Sequence, residues 1–386
     1  MAEYLIILLV YIIGYVKYGT ERSYRSNLFY IFECILLILL WGLRYRVGGD
    51  SIRYESYFEF LPTIENIETY DYKNSSFQPF WLYYNVFIKL ICDDFRFFQI
   101  VHSLTINSLL FLFISKNCKN RFLSILIYYI LYSSYFSTEI LREILSVITF
   151  LYASQFLLKR RYVTYFLIAF IAVMFHVSAL FLFILPLLLL CYSNEHPVRS
   201  LIIWSFTFFI LSSFLLKIIP YDIMSSLLSS SYNEYLDNIV SGKSLFNFNG
   251  ILLNLIQQTV VFVPTIILIK QKNKDLSQIL FIYCLVSIMG VQFFFISRLY
   301  NYFYIFLIIA YSDLFLKMRK NKLAAKTSFF LKLTFVLLFF FRFTFYNRSK
   351  GFIVGSMYNR YYPYYSILAP QKDPIREKMI EFEWIY

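Results

Sequence analysis

Apolar segments of helix-spanning length recur along the chain, separated by polar connections that are mostly short. A helix needs about 20 apolar residues to cross a bilayer, where it satisfies its own backbone hydrogen bonds. The pattern therefore predicts an all-α fold, a polytopic transmembrane helical bundle with about 10–12 membrane segments. The apolar segments are Tyr4–Val16, Leu28–Leu43, Pro79–Cys92, Phe97–Ser115, Phe122–Phe136, Ile140–Leu158, Tyr162–Tyr192, Leu201–Ile219, Ile251–Ile269, Gln278–Ile296, Tyr302–Leu316 and Ser328–Phe345.

Two of these segments have unusual lengths. Pro79–Cys92 would form about 21 Å of helix, which is shorter than the ~30 Å hydrocarbon core. Tyr162–Tyr192 is long for one crossing and carries a polar break at Phe175–Ser178. Non-helical backbone persists at membrane depth only where it is buried in protein or lines a wet cavity. We therefore expect one or two re-entrant or broken helices at these positions.

The charge pattern predicts the orientation of the bundle. Apolar residues make up 59% of the chain, and the net charge is +13. The basic residues cluster in short connections, which is typical of cytoplasmic loops and gives no indication of nucleic-acid binding. The loops at about 46–78 and 220–250 lack such clusters and are expected outside. Residues 1–345 are expected to form a single transmembrane domain, and residues 346–386 an external, tyrosine-rich tail.

Ionisable residues within or beside the apolar segments form the candidate site. The stretch Gly42–Tyr54 carries three arginines, an aspartate and a glycine pair. Glu139 and Arg142 share one face of a helix start, and His176 lies at the break. Because guanidinium groups bind phosphate bidentately, the pattern favours an anionic, pyrophosphate-bearing lipid as ligand. The predicted orientation places these residues on the outer side: Arg44, Arg46, Asp50, Arg53, Glu139, Arg142, His176, Arg298 and Arg342.

These residues resemble a known family, the EpsG-like branch of Wzy-type polysaccharide polymerases. The sequence departs from the family where Gln78-Pro79-Phe80 replaces Glu-Pro-Gly, and where Glu139-x-x-Arg142 replaces an Arg-Gln pair. The resemblance covers most of the chain. It is carried by Gly42–Asp50 with Tyr54, Gln78–Leu82, Glu139 with Arg142, Ala172–Leu180 around His176, and Arg298 before Tyr302-Phe303.

The resemblance implies a multi-spanning, GT-C-like glycosyltransferase of the bacterial inner membrane, with its active site facing the periplasm. Enzymes of this kind take a growing glycan from undecaprenyl pyrophosphate and join it to a newly exported lipid-linked repeat unit, as O-antigen and capsule polymerases do. The implied partners are undecaprenyl-pyrophosphate-linked glycans, membrane lipids and a chain-length regulator protein. No cofactor and no metal are expected.

The chemistry of that reaction suggests roles for the candidate residues. Fixed positive charge would stabilise a departing pyrophosphate, so we expect Arg142 and Arg298 to bind it, with Arg44, Arg46 and Arg342 assisting. The acceptor hydroxyl needs a general base, for which His176 is the first candidate and Asp50 or Glu139 the second. The predicted glycan-binding residues are Tyr54, Tyr361, Tyr362 and Tyr365.

Two other classes of membrane protein also need a polar site inside a helical bundle. A transporter or flippase for lipid-linked glycans is the first, although its usual inverted repeats are not evident here. The second is a membrane sugar acyltransferase with His176 as base, which would require an acyl donor. The sequence favours the polymerase because the polar groups cluster toward one face of the membrane.

Overall fold

The fold is helical throughout the part of the chain that the computed structural model describes, residues 2–70, 77–218, 248–292, 294–347 and 357–385. About 80% of it is helix, and no strand occurs in these residues. The chain divides into two compact units. The first comprises Met1–Leu182 with Thr344–Ile385, and the second comprises Phe183–Phe343.

The first unit contains most of the helices. They are α1 (Ala2–Tyr18), α2 (Tyr24–Gly42), α3 (Ser51–Phe60), α4 (Pro79–Ile91), α5 (Phe95–Asn117), α6 (Arg121–Leu131), α7 (Ser133–Thr138), α8 (Leu141–Leu158) and α9 (Tyr162–Phe175). A 3-10 helix, Val177–Ile184, follows α9. The second unit continues with α10 (Leu185–Leu190), α11 (Pro197–Ile218), α12 (Phe248–Lys270), α13 (Lys274–Gln292), α14 (Tyr304–Arg319) and α15 (Ala325–Asn347). The short helix Met357–Arg360 and α16 (Pro374–Ile385) return to the first unit.

The chain is a multi-pass membrane protein, as predicted. Among the described residues, six helices are long and apolar enough to cross a membrane, or seven if Ile296–Tyr302 and Tyr304–Arg319 form one span bent by 53°. The predicted polytopic helical bundle is confirmed, and the described residues also contain apolar helices too short for this count. Arg121–Leu131, Tyr162–Phe175 and Val177–Leu190 are such shorter pieces. The predicted break at His176 is present, since α9 ends there in extended backbone.

Close packing between α2 and α5 places the stretch that follows α2. A Cβ atom on Gly42 would lie 3.3 Å from the Ile100 Cα, so a larger residue would push the two helices apart. The Ser103 hydroxyl donates to the carbonyl of Ile38 at 2.9 Å, and the Tyr30 hydroxyl to that of Phe111 at 2.9 Å. Small residues and buried hydroxyl donors of this kind stabilise helix pairs in membranes.

A second close pair, α8 and α9, places His176. The Ser146 hydroxyl on α8 donates to the carbonyl of Ala172 on α9 at 2.5 Å. Ala153 on α8 and both Ala169 and Ala172 on α9 are fully buried. These small side chains allow close packing of the two helices. The end of α9 is therefore held against the start of α8, one turn from Arg142.

The substitution Gly42→Val should destabilise the first unit by about 1–3 kcal/mol, because the added side chain overpacks the contact with Ile100. Thermal unfolding of the detergent-purified protein measures the effect. Leu39→Val is the matched control, since Leu39 lies on the same helix with 46% of its surface exposed. Equal melting temperatures for both variants would contradict this packing.

Candidate functional site

Within the stretch Gly42–Tyr54, a tight loop connects the end of α2 at Gly42 with the start of α3 at Ser51. Arg46 and Gly48 both have positive φ, 52° and 108°. Gly48 is required in two respects, because only glycine adopts φ of 108° readily and a Cβ atom would collide with the side chain of Thr138. The Gly48 N–H donates to the carbonyl of Arg360 at 2.8 Å. The glycine pair therefore shapes the loop and lets another segment approach it.

That other segment is the C-terminal clasp, which we define as residues 357–379. Its backbone pairs with the loop: the Tyr45 N–H donates to the Tyr365 carbonyl, and the Ile367 N–H donates to the Leu43 carbonyl, both at 2.8 Å. Arg376 is fully buried and donates to the carbonyls of Asn359 and Arg46, each at 3.1 Å, and to that of Pro363. The tail therefore packs onto the loop as an ordered part of the first unit.

Glu139 joins the loop and the clasp through one carboxylate. It accepts hydrogen bonds from the Gly49 N–H at 2.6 Å, the Tyr361 hydroxyl at 3.0 Å and the Arg360 guanidinium at 3.1 Å. Only 7% of the Glu139 side chain is exposed. Charge-assisted hydrogen bonds at this depth are among the strongest polar contacts in a protein. A carboxylate with three donors is a poor general base, because proton uptake would break these contacts.

Arg46 belongs to the same assembly. Its guanidinium donates to both oxygens of Glu377, at 2.7 and 2.6 Å, and to Glu55 at 2.9 Å. The bidentate pair holds α16 against the loop. Two carboxylates thus balance the charge of Arg46. Its expected phosphate-binding role stays a prediction.

Arg142, near the start of α8, lies beside a separate group of side chains. Its guanidinium is 5.0 Å from the ring centroid of Phe77 and hydrogen bonds to the Tyr54 hydroxyl. Burial raises the pKa of Tyr54 to about 12; Arg142 opposes the rise and Asp50 adds to it. Tyr54 therefore stays a neutral hydroxyl, and Asp50, Tyr54 and Arg142 lie within electrostatic reach of one another. The sequence predicted all three as site residues.

His176 is held by the residue two positions later. The Ser178 N–H donates to the His176 Nδ1 at 3.2 Å, and the Ser178 hydroxyl lies 2.7 Å from the same atom. The Ser178 N–H contact matches the neutral tautomer with its hydrogen on Nε2, in which Nδ1 carries a lone pair, whereas the hydroxyl contact fits either tautomer. In this form Nε2 is a hydrogen-bond donor. The base role expected for His176 would require the other tautomer.

The start of α4 connects Arg142 with His176. Phe77, two residues before Pro79, contacts Arg142, and Phe80, one residue after it, packs edge-on against Phe175 at 5.7 Å. Phe175 is the last residue of α9 and precedes His176. Arg142 and the residue before His176 therefore both contact aromatic side chains at the start of α4.

The remaining predicted site residues lie elsewhere, in the second unit or in the clasp. Arg298 is exposed in the 3-10 helix Phe294–Tyr302 of the second unit, and Arg342 is buried in the same unit, 5.3 Å from the Tyr304 ring. In the clasp, Tyr362 packs on Tyr358 at 5.2 Å, and Tyr365 lies 5.9 Å from Arg376. Their predicted roles, and that of the buried Tyr361, are not tested by these contacts.

Comparison with known proteins identifies the family. The EpsG family model matches residues 27–366, which is most of the chain. The chain belongs to the EpsG family. This is a family of Wzy-like polysaccharide polymerases, so the recognition made from the sequence motifs is confirmed. No curated protein and no solved structure matches the chain.

The match to the EpsG family extends into the first part of the clasp, whose importance sequence reasoning missed. Arg360 lies within the tyrosine-rich stretch, but nothing local links it to Glu139, 221 positions earlier. Arg376 and Glu377 lie in a charged tail, a pattern more typical of a solvated surface. Among the described residues, no three His, Cys, Asp or Glu side chains form a group that could hold a metal ion.

The pair formed by Glu139 and Arg360 can be tested by a double-mutant cycle. Arg360→Gln alone should destabilise the protein by about 3–5 kcal/mol, because it leaves a buried carboxylate without its cation. The double variant Glu139→Gln/Arg360→Gln should recover a large part of that loss, because neither side chain is then charged. Thermal unfolding of the purified variants gives the coupling. Additive effects of the two single substitutions would contradict the pairing.

Proposed function

We propose that this EpsG-family chain is a glycosyltransferase that polymerises undecaprenyl-pyrophosphate-linked repeat units into a surface polysaccharide. The reaction would take place at the outer face of the bacterial inner membrane. One observation carries the proposal: in a chain of this family, the Arg142 guanidinium and Phe175, which precedes His176, both contact aromatic side chains at the start of α4. Cationic and hydrogen-bond-donating groups at one place suit a reaction whose leaving group is a pyrophosphate.

Arg142 has the central role in the proposed mechanism. When the sugar–phosphate bond breaks, negative charge develops on the phosphate oxygens, and a preorganised cation stabilises it. The face of Phe77 and the Tyr54 hydroxyl orient the Arg142 guanidinium before substrate arrives. No ordering of this side chain is then needed during the reaction. Fixed charge in a water-poor site contributes more than charge in bulk water.

His176 has a different role in this proposal from the one expected on sequence alone. With Nδ1 accepting from Ser178, the Nε2–H donates a hydrogen bond to a phosphate oxygen of the leaving group. The acceptor hydroxyl then needs another base. Asp50 is the remaining candidate, because Glu139 already accepts three hydrogen bonds. A carboxylate beside Tyr54 and Arg142 can take the proton of an attacking hydroxyl.

The proposed function predicts a specific change in surface glycan. Deletion of the gene should reduce the polysaccharide ladder on a gel to a single exported repeat unit, and the wild-type gene should restore the ladder. Arg142→Ala should lower polymerisation by about 10²-fold or more, because one transition-state donor is lost. Arg96→Ala is the control, since Arg96 is an exposed arginine of the same unit. A normal ladder from correctly inserted Arg142→Ala protein would rule out this role.

The deletion strain also shows whether the chain acts as a polymerase or as a flippase. Unpolymerised repeat units on the outer side of the membrane indicate a lost polymerase. Lipid-linked repeats retained on the inner side would indicate a lost flippase. Loss of acyl groups from polymer of normal length would instead favour the acyltransferase.

The donor role of His176 predicts an order of activity among substitutions. His176→Gln should retain more polymerisation than His176→Phe, because the glutamine amide N–H can replace the Nε2–H donor whereas phenylalanine cannot. Polymer length on gels, normalised to the amount of protein in the membrane, measures the difference. Equal loss in both variants would favour a base, which neither side chain can supply.

A further inference from the structure

The end of α2 meets α5 at a group of buried polar side chains that the proposed mechanism does not use. Gln99 on α5 donates its side-chain N–H to the backbone carbonyl of Arg44 at 3.1 Å. His102 follows one turn later, stacked on Phe98 at 5.4 Å and edge-on to Trp81 at 6.1 Å. Arg44 and His102 are each 1% exposed, and Gln99 is 3% exposed. The sequence motifs indicate no role for Gln99 or His102.

Several polar atoms at this junction lack a hydrogen-bond partner within the described part of the chain. They are Arg44 Nε and Nη2, Gln99 Oε1, His102 Nδ1 and Nε2, and the nearby Trp41 Nε1. Buried polar groups are nearly always paired, with protein, ordered water or an ion. Orphan atoms on Arg44 and on the neighbouring Gln99 and His102 therefore indicate an occupant that pairs with several of them.

The charge of Arg44 restricts that occupant. Burial lowers the pKa of Arg44 to about 10, with opposing contributions led by Tyr364, so the guanidinium remains protonated at neutral pH. Within the described residues, Arg44 forms no ion pair within 4.0 Å. The Glu139 carboxylate, which also acts on Arg44, is committed to three other donors. A guanidinium at this depth needs a counter-ion.

The available atoms define the chemistry of the counter-ion. The Nε and Nη2 edge of an arginine presents two parallel N–H groups, a geometry that matches two oxygens of a phosphate. His102 and Trp41 can supply further N–H donors. Gln99 Oε1 can accept from a protonated phosphate oxygen. We propose that Arg44, Gln99 and His102 form a binding site for a phosphate group.

Two sources could supply this phosphate. One is the pyrophosphate of a lipid-linked substrate, and this part of the proposal rests on the proposed function. The other is free inorganic phosphate, which would stabilise the loop whatever the enzyme does. Ser366 of the clasp forms a backbone bridge to Arg44, and Arg44 and His102 are each buried from solvent. Slow exchange is therefore expected, and ligands need long incubation with the protein.

The test measures thermal unfolding of the detergent-purified full-length chain in phosphate-free buffer. Inorganic phosphate and farnesyl pyrophosphate are added in separate titrations at constant ionic strength, with chloride as the balancing anion. A rise in melting temperature with both probes supports the site with either source. A rise with farnesyl pyrophosphate alone assigns it to the lipid-linked ligand, and a rise with inorganic phosphate alone to the free ion.

Variants show whether the shift comes from this junction. Arg44→Met and His102→Phe should lose at least tenfold in apparent affinity for the probe, while Arg96→Met keeps the wild-type response. Without phosphate, Arg44→Met should be at least as stable as wild type, because it removes a buried charge without a counter-ion. His102→Phe suits the aromatic surroundings, and Gln99→Leu gives a third variant if either fails to fold.

A wild-type melting temperature that responds to neither probe overturns the proposal, as does an unchanged response in Arg44→Met and His102→Phe. These outcomes differ from failure of the proposed function, which is read from the surface-glycan ladder. If the chain polymerises glycan but its melting temperature does not respond to phosphate, only the proposed phosphate site is overturned. If the chain binds phosphate at Arg44 but does not polymerise glycan, only the proposed function is overturned.

Discussion

The Glu139 carboxylate is the interaction on which the rest of the described site depends. It accepts from the backbone of the loop, from a hydroxyl of the clasp and from the Arg360 guanidinium. Without Glu139, these three donors would be buried without this acceptor. For the charged Arg360 guanidinium, burial without a counter-ion costs several kcal/mol. Loss of this one side chain removes a partner from Arg360 and from the Gly49 N–H together. Glu139 therefore links the loop to the clasp, in addition to the backbone pairs and the Arg46–Glu377 ion pair.

The contacts of Glu139 also fix the position of Arg142, which we propose binds the leaving group. Glu139 follows α7 directly and lies three residues before Arg142, so the contacts that hold Glu139 also set the start of α8. Arg142 is then oriented by the ring of Phe77 and the Tyr54 hydroxyl. Catalytic groups need to be held by surroundings that do not move during the reaction. Here Arg360, 221 positions after Glu139, supplies part of that support.

The sequence predicts those parts of the site that have a local pattern. It does not predict contacts between residues that are far apart along the chain. Apolar periodicity predicts the helical bundle, and a polar break in an apolar run predicts the end of α9 at His176. The clasp has no comparable signal, because Arg46 and Glu377 are ordinary surface residue types 331 positions apart. The contact between the Ser178 N–H and the His176 Nδ1 depends on the backbone direction at Ser178, which composition does not encode. Only the folded chain shows that Glu139 accepts three hydrogen bonds.

Three arginines that look equivalent in the sequence differ in their electrostatic surroundings. Arg46 is neutralised by two carboxylates, Arg142 lies on an aromatic face beside a hydroxyl, and Arg44 is buried with two nitrogens that lack a partner among the described residues. The capacity to bind an anion depends on the charge that neighbours leave unbalanced, and a count of arginines does not measure it. Two carboxylates already balance the charge of Arg46. Arg44 retains positive charge that a phosphate could balance, so anion binding at the junction of α2 and α5 should depend on it.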